Sequence, residues 1–236
     1  MRRNASFRSF LDAYPPAPGQ TRPVDGVSLA EAIEERFGVT VPAALQLFWL
    51  RVGAGVFGGG EIYIFGDAGS TLPGPEVLAW NGAQWWRSVY AHPKDGGPFF
   101  FGQTPFGDQL GFRWQGNVAL PELFMPDTME VFLLGRDLDE LLGELLVAPG
   151  ALCDSQRLAR ATAQCGPLPP GGHYAPDVSP LRGGMDESFH VDTAEAHVRK
   201  AITSAVPNAR AIDGDTFGAV GKGLTIEAVR RYGALG

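Results

Sequence analysis

The apolar segment Phe99–Trp114 restricts the fold of this chain more than any other stretch. Three consecutive phenylalanines, Phe99–Phe101, lead into a turn rich in Gly, Pro and Asp, and the chain leaves that turn as the apolar run Leu110–Trp114. Short aromatic runs separated by turn residues are typical of strands. The segment therefore predicts two central strands joined by a loop.

A short helix is predicted upstream, within Val41–Gly55. Pro42 suits the first turn of a helix, where a missing N–H costs nothing, and Gly53 marks the end. Between them, apolar residues recur at spacings of three and four, which places them on one helical face: Leu45, Phe48, Trp49 and Val52. The core is therefore expected to combine helices and strands.

An earlier helix is predicted from Leu29 to Phe37. Ser28 and Glu31 have the spacing of a capping box, in which each side chain accepts a hydrogen bond from a free backbone N–H at the helix start. Further elements follow from periodicity and turn residues. These are strands at Ile62–Phe65, Val118–Leu120 (closed by Pro121), Met129–Leu134 (buried) and Glu187–Val191, and helices at Pro75–Tyr90, Arg136–Leu146, Leu152–Ala163 and Thr193–Ile202, the last capped by Asp192.

Two segments rich in proline and glycine define the domain organisation. Residues 1–27 are interpreted as an amino-terminal arm without regular structure, although Phe7, Phe10 and Leu11 are able to hold a short helix on the body. Residues 28–236 are predicted to form one domain, with residues 166–184 as a long ordered loop within it. The predicted fold class is α+β, a single domain with a mostly antiparallel, curved sheet and helices packed on one side.

Composition restricts the compartment. The 236 residues are 44% hydrophobic, which is enough for a sizeable core. No run is as long and apolar as a membrane span or a signal peptide requires, so a cytoplasmic location is expected. Cys153 and Cys165 lack the CxxC spacing of a zinc site and are interpreted as free structural thiols.

Negative charge is concentrated in the middle of the chain. The formal net charge is −7, yet the segment Glu61–Asp154 holds thirteen acidic and four basic residues, an excess of nine negative charges. Such a field repels phosphate backbones and speeds encounter with a basic protein. Direct binding to nucleic acid is therefore not expected, although an acidic balance that serves only solubility remains the alternative.

Three tryptophans fall within the predicted helix Pro75–Tyr90. Apolar residues occupy more than one face of that helix, so at least one tryptophan is expected to be partly exposed. An exposed tryptophan near carboxylates is typical of a protein-binding hot spot, whereas the alternative is that all three pack in the core. The candidate partner-binding residues are Asp67, Glu76, Trp80, Trp85, Trp86, Asp95 and Asp108.

Motifs for catalysis or metal binding are not found in the sequence. Gly58–Gly60 precede a strand and are not followed by lysine, so they do not match a phosphate-binding loop. Asp108 is interpreted as a turn cap rather than as a general base. No cofactor, metal or catalytic residue is predicted, although a hydrolase site assembled by folding stays open. The histidines are dispersed and lack the i, i+4 spacing of zinc enzymes: His92, His173, His190 and His197.

Several of these stretches together resemble the SUKH superfamily, which contains the yeast Smi/Knr cell-wall regulators and many bacterial immunity proteins. The shared features are a proline-started helix ending in Phe48-Trp49, a Gly-Xaa-Gly loop at Gly53–Gly55, an apolar strand, and an FGDQ-type loop at Phe106–Gln109. The segment Gly171–Gly184 is similar to the loop before the closing part of bacterial members.

The resemblance implies a non-catalytic binding protein, and most directly an immunity protein that neutralises a cognate bacterial toxin by covering its active site. The acidic middle segment suits this role, because many toxin nucleases are basic. The alternatives are a regulatory or scaffold SUKH domain without a toxin, and the hydrolase named above. The expected partner is a protein, with no direct nucleic acid, no membrane and no small-molecule substrate.

Overall fold

A computed structural model describes residues 3–67, 74–83, 93–128, 130–142, 152–169, 171–178, 180 and 187–205. The helices in these ranges are α1 (Arg3–Ala13), α2 (Gly26–Phe37), α3 (Ala43–Arg51), α4 (Val77–Gly82), the short α5 (Leu138–Glu140), α6 (Ser155–Cys165) and α7 (Ala194–Ala205). The strands are β1 (Pro16–Arg22), β2 (Ala54–Phe57), β3 (Ile62–Ile64), β4 (Phe99–Gln103), β5 (Gln109–Gln115), β6 (Val118–Met125), β7 (Glu130–Leu133), β8 (Gly172–Pro176) and β9 (Phe189–Thr193). None of the helices among these residues is long and apolar enough to cross a membrane.

Strands β1 to β7 form one sheet in which every strand is antiparallel to its neighbours in sequence. The predicted strand–loop–strand at Phe99–Trp114 is β4–β5, and a turn at Gly116 and Asn117 joins β5 to β6. The register shifts between Phe100 and Gly102, and such a bulge bends a strand. The predicted α+β fold with a mostly antiparallel sheet is confirmed.

The amino-terminal segment is part of the fold, so the prediction that it lacks regular structure is wrong. α1 buries Phe10, whose ring contacts those of Phe48 in α3 and Phe57 in β2 at centroid distances of 5.0 and 5.6 Å. β1 pairs with β2 as the edge strand of the sheet. Its prolines are compatible with this place because an edge strand leaves half of its N–H groups unpaired.

The helix α2 begins one turn earlier than the capping-box pattern predicts. The cap is Asp25, whose carboxylate accepts hydrogen bonds from the backbone N–H groups of Val27 and Ser28 at 3.1 and 3.2 Å. Ser28 instead donates its hydroxyl to the same carboxylate. A carboxylate satisfies these N–H groups better than a hydroxyl because it also interacts with the positive end of the helix dipole. The predicted end of the helix at Phe37 is confirmed, with Gly38 as the carboxy-terminal cap.

One large hydrophobic cluster lies between the sheet and α1 to α5. Phe37 of α2 contacts Phe99 of β4, with ring centroids 5.9 Å apart, and the Trp49 indole of α3 donates to the Phe65 carbonyl at 3.2 Å. α2 and α3 approach each other at Gly26, where a Cβ atom would lie 2.1 Å from the Gln46 carbonyl oxygen. The glycine is therefore required for this helix packing.

Two strand predictions are corrected at the far edge of the sheet. Pro121 does not close β6, which continues to Met125. The Pro121 carbonyl accepts from the Leu134 N–H just beyond the end of β7, so the N–H that proline lacks would point to this edge of the sheet rather than to β5. β7 is an edge strand rather than a buried one, and Leu133 in it is 38% exposed.

The carboxy-terminal elements build a second, smaller cluster around Phe106 of the β4–β5 loop. β8 and β9 pair as a separate two-stranded sheet against α6 and α7. The segment 166–184 was predicted to be a loop, but it contains β8. This strand was not predicted because its pairing partner β9 is distant in sequence. Residues 84–90, 143–150 and 206–236, and with them parts of the predicted helices Pro75–Tyr90 and Arg136–Leu146, lie outside the described residues.

Candidate functional site

Among the predicted partner-binding residues that the structure describes, some are buried and some are exposed. Asp95 is exposed, whereas Glu76 is half-buried beside α4. Asp67 forms an ion pair with Arg22, so its charge is largely neutralised locally. Trp85 and Trp86 lie outside the described residues.

Trp80 is buried, with 6% of its surface exposed. Its indole N–H donates to the Gln109 side-chain oxygen at 2.7 Å, and its ring lies edge-on to Phe65. The predicted exposed surface is therefore wrong for Trp80, because α4 is short and presents this residue to the sheet.

Asp108 is also buried, at 5% exposure, and cannot contact a partner. Its carboxylate accepts from the Thr104 hydroxyl at 2.8 Å, while that hydroxyl accepts from the Asp108 backbone N–H. The turn is thus closed jointly by Thr104 and Asp108. Burial raises the pKa of Asp108 to about 6, although the positive charge of Arg157 opposes the shift.

An open groove of about 320 Å³ lies between the start of α3, the β5–β6 turn and α5. We call it the acidic groove, and its apolar wall includes Leu47, Trp114 and Val118, the last 43% exposed. Asp137 and Asp139 are the charged side chains among the described residues that line it. The adjacent Arg136 pairs with Glu140 at 2.9 Å. The Asp137 carboxylate also caps α5, where it accepts from the Glu140 backbone N–H at 2.8 Å. The groove therefore combines an apolar wall with two carboxylates and no cation among its described lining residues.

Trp114 is the tryptophan that reaches this surface. Its indole N–H donates to the Thr40 carbonyl at 2.9 Å, which holds the ring at the groove wall while one side stays open. From the sequence, Trp114 was predicted only to lie in a strand. Its position near the end of β5, two residues before the tip of the turn, is the feature that indicates partial exposure.

A buried polar cluster joins the main sheet to the carboxy-terminal elements. His197 of α7 contacts Asp127 of the β6–β7 turn through Nε2 at 3.2 Å and His173 of β8 through Nδ1 at 3.4 Å. Gly107 makes this approach possible, because a Cβ atom there would lie 2.9 Å from His173 Nδ1 and 3.0 Å from His197 Nδ1. These histidines are dispersed in the sequence. The pairing of β8 with β9, which sequence patterns do not reveal, brings them together.

The hydrogen-bond directions within this cluster follow from the carboxylate. Asp127 accepts, so His197 Nε2 carries a hydrogen, and in neutral His197 the Nδ1 atom is then an acceptor for the N–H of His173 Nδ1. In this arrangement the remaining nitrogen, His173 Nε2, is an unprotonated acceptor. Burial lowers the pKa of His173 well below its ordinary value, which keeps it neutral.

A cavity of about 650 Å³ opens next to this cluster. It lies between β3, the β4–β5 loop, α6 and the start of β8, and we call it the β8 cavity. His173 lines it, as does Gln103 at the end of β4. In the described part of the chain, His173 Nε2 and Gln103 Oε1 are buried without a hydrogen-bond partner.

Within the described residues, the cluster holds no side-chain nucleophile of the kind that covalent hydrolases use. A nucleophilic Ser, Thr or Cys would donate its hydrogen to the catalytic imidazole, but His173 Nε2 has no such donor among the described side chains. The nearby Thr104 hydroxyl donates to Asp108 instead. No group of three or more His, Cys, Asp or Glu side chains in the described ranges has an arrangement that could hold a metal ion.

Fold comparison supports the α+β class. The crystal structure of Atu4351 from Agrobacterium tumefaciens is similar to this chain, with a TM-score of 0.58 over 84% of this chain and 89% of that chain, at 15% sequence identity. At this identity the likeness concerns the fold alone. No protein-family model and no curated protein matches the chain, so membership of the SUKH superfamily stays a prediction.

Proposed function

We propose that this protein is a non-catalytic binding protein that neutralises a cognate bacterial toxin by covering its active site. The observation that carries the proposal is the acidic groove, in which an indole and aliphatic side chains lie beside two carboxylates, with no cation among the lining residues that the structure describes. Such a surface suits a basic segment of a partner protein, because the partner's aliphatic stems cover the apolar wall while its charges meet Asp137 and Asp139.

The charge distribution supports a basic partner. The segment Glu61–Asp154, which supplies both groove carboxylates, carries an excess of nine negative charges, which accelerates association with a positively charged protein and disfavours nucleic acid itself. Proteins that act on nucleic acid commonly present basic surfaces to the phosphate backbone, so a nuclease is the partner class that this surface fits best. Occlusion of that site would stop the toxin without any chemistry by the binding protein.

Both groove carboxylates are expected to contribute to binding of the toxin. The double variant Asp137→Asn, Asp139→Asn is expected to bind the toxin encoded next to this gene at least tenfold more weakly than the wild type, because two attractive charges are lost. Isothermal titration calorimetry at low and moderate salt checks this. The loss should shrink as salt rises, since screening already weakens the wild-type contacts.

Glu187→Gln is the matched control. Glu187 is an exposed carboxylate that lies two residues before β9 and does not line the groove. Its removal changes net charge by one unit without touching the proposed surface. If the double groove variant lost only twice as much binding free energy as Glu187→Gln, overall charge alone would explain the loss and the groove would not be the binding site.

Growth rescue separates immunity from a regulatory or scaffold role. Co-expression with the neighbouring gene product is expected to restore growth when that product is toxic, and the double groove variant is expected to restore it less. If no neighbouring product is toxic, or none forms a complex with the purified protein, the immunity function is wrong.

A further inference from the structure

We propose that the β8 cavity binds an uncharged planar ring compound and holds it through an N–H or O–H group of the ligand. This site is independent of the proposed toxin binding, because none of its lining residues lines the acidic groove. A cavity of about 650 Å³ is within the range that small organic ligands occupy.

The lining excludes a charged ligand. None of the described residues around the cavity is Asp, Glu, Lys or Arg. Burial raises the pKa of Tyr63, so its phenol stays neutral as well. A charged ligand would lose its hydration without gaining an opposite charge, which is unfavourable.

The walls suit a flat ring. Tyr63 and Tyr174 supply aromatic surface, and Pro105 and Pro169 add rigid apolar surface. Glycines at Gly171 and Gly172 let the ligand approach the backbone closely. Rings in such surroundings stack or lie edge-on, with little loss of side-chain freedom.

Two buried acceptors in the wall select for a donor on the ring. His173 Nε2 and Gln103 Oε1 have no partner in the described part of the chain and are shielded from bulk water. With His197 neutral, the hydrogen-bond chain from Asp127 through His197 leaves His173 Nε2 with its lone pair free. A ligand N–H or O–H that reaches these atoms, with a small displacement of the wall, supplies the hydrogen bond that the folded protein lacks.

The test compares ligands that differ in one hydrogen. Indole and 1-methylindole have the same ring, but only indole carries an N–H donor. We expect the purified wild-type protein to bind indole with a Kd of about 1 mM or tighter and 1-methylindole at least tenfold more weakly, measured by protein-detected NMR titration. Phenol and uracil are tested in parallel. They show whether aryl alcohols or nucleobases, which also carry an O–H or N–H donor on a flat ring, bind better than indole.

Variants then place the ligand. His173→Asn keeps an N–H close to the position of Nδ1 and removes the Nε2 acceptor, so it should abolish the preference for indole over 1-methylindole. Ala17→Trp, on the half-buried β1 wall of the cavity, should block both ligands without removing a buried polar group. His190→Asn is the matched control, because His190 pairs with Asp177 outside the cavity.

Three outcomes would overturn the proposal. The first is a folded wild-type protein that binds none of these rings at about 10 mM. The second is equal binding of indole and 1-methylindole, a result that does not depend on whether any variant folds. The third is binding of benzoate or benzylamine as tight as that of indole, which would contradict a site for uncharged ligands.

Discussion

Replacing Trp49 by alanine is expected to lower the free energy of unfolding by about 3–5 kcal/mol. Trp49 is fully buried in the main cluster, and its indole N–H donates to the Phe65 carbonyl, which joins α3 to the residue after β3. Alanine leaves a large cavity and an unsatisfied carbonyl, and each of these is destabilising. Because domains of this kind have a stability of about 5–15 kcal/mol, the loss is a large share of the total.

Urea unfolding followed by circular dichroism measures this effect, and two variants serve as comparisons. Trp49→Phe keeps most of the ring and loses the N–H donor, so it should cost less than alanine. Leu50→Ala removes a side chain from the next position of α3 that is 48% exposed, so it should change stability little. A Trp49→Ala variant as stable as Leu50→Ala would show that α3 does not pack as described here.

The elements around Trp49 were predictable from local sequence. The spacing of Leu45, Phe48 and Trp49 and the preceding Pro42 predict α3 because a helical face and its first turn depend on neighbouring residues. The same holds for Phe99–Trp114, where aromatic runs and a turn identify a hairpin. Asp25 was missed as a cap because Ser28 and Glu31 offer an equally regular pattern one turn later, and spacing does not distinguish them.

The candidate sites depended on long-range pairing and were mostly not predictable. His173 and His197 meet because β8 pairs with β9, and Gly107 from the β4–β5 loop then fits between them. At least one tryptophan of the long predicted helix was expected to be partly exposed; α4 ends at Gly82 and buries the ring of Trp80, whereas Trp85 and Trp86 lie outside the described residues. Trp114 is only half-buried, since it is near the end of its strand.

The second large effect is expected at Asp108, whose carboxyl is buried at the contact between the β4–β5 loop and the carboxy-terminal elements. Its pKa is raised from 3.8 to about 6, and the first cause is burial. Between these two values the unfolded chain releases a proton that the folded protein keeps, so this group makes the fold less stable as pH rises. Above about pH 6 both states are ionised and the penalty is constant.

Asp108→Asn removes this titration and keeps the shape of the side chain, including an oxygen that accepts from Thr104. Relative to the wild type, the variant should gain stability between pH 4.5 and 7.5 by about 2 kcal/mol. The lowered pKa of His173 has the opposite effect, since it destabilises the fold as pH falls below 6.5, but it acts on both proteins and largely cancels in the difference.

Urea unfolding of both proteins at several pH values gives this difference directly. Asp95→Asn, an exposed carboxylate in a short turn, is the control and should show a difference of less than about 0.5 kcal/mol at every pH. A difference between Asp108→Asn and the wild type that does not change with pH would mean that Asp108 is hydrated or paired in solution. A pH-dependent difference would instead show that the fold keeps a costly buried acid beside His197 and Asp127, as proteins do where a polar cluster serves binding rather than stability.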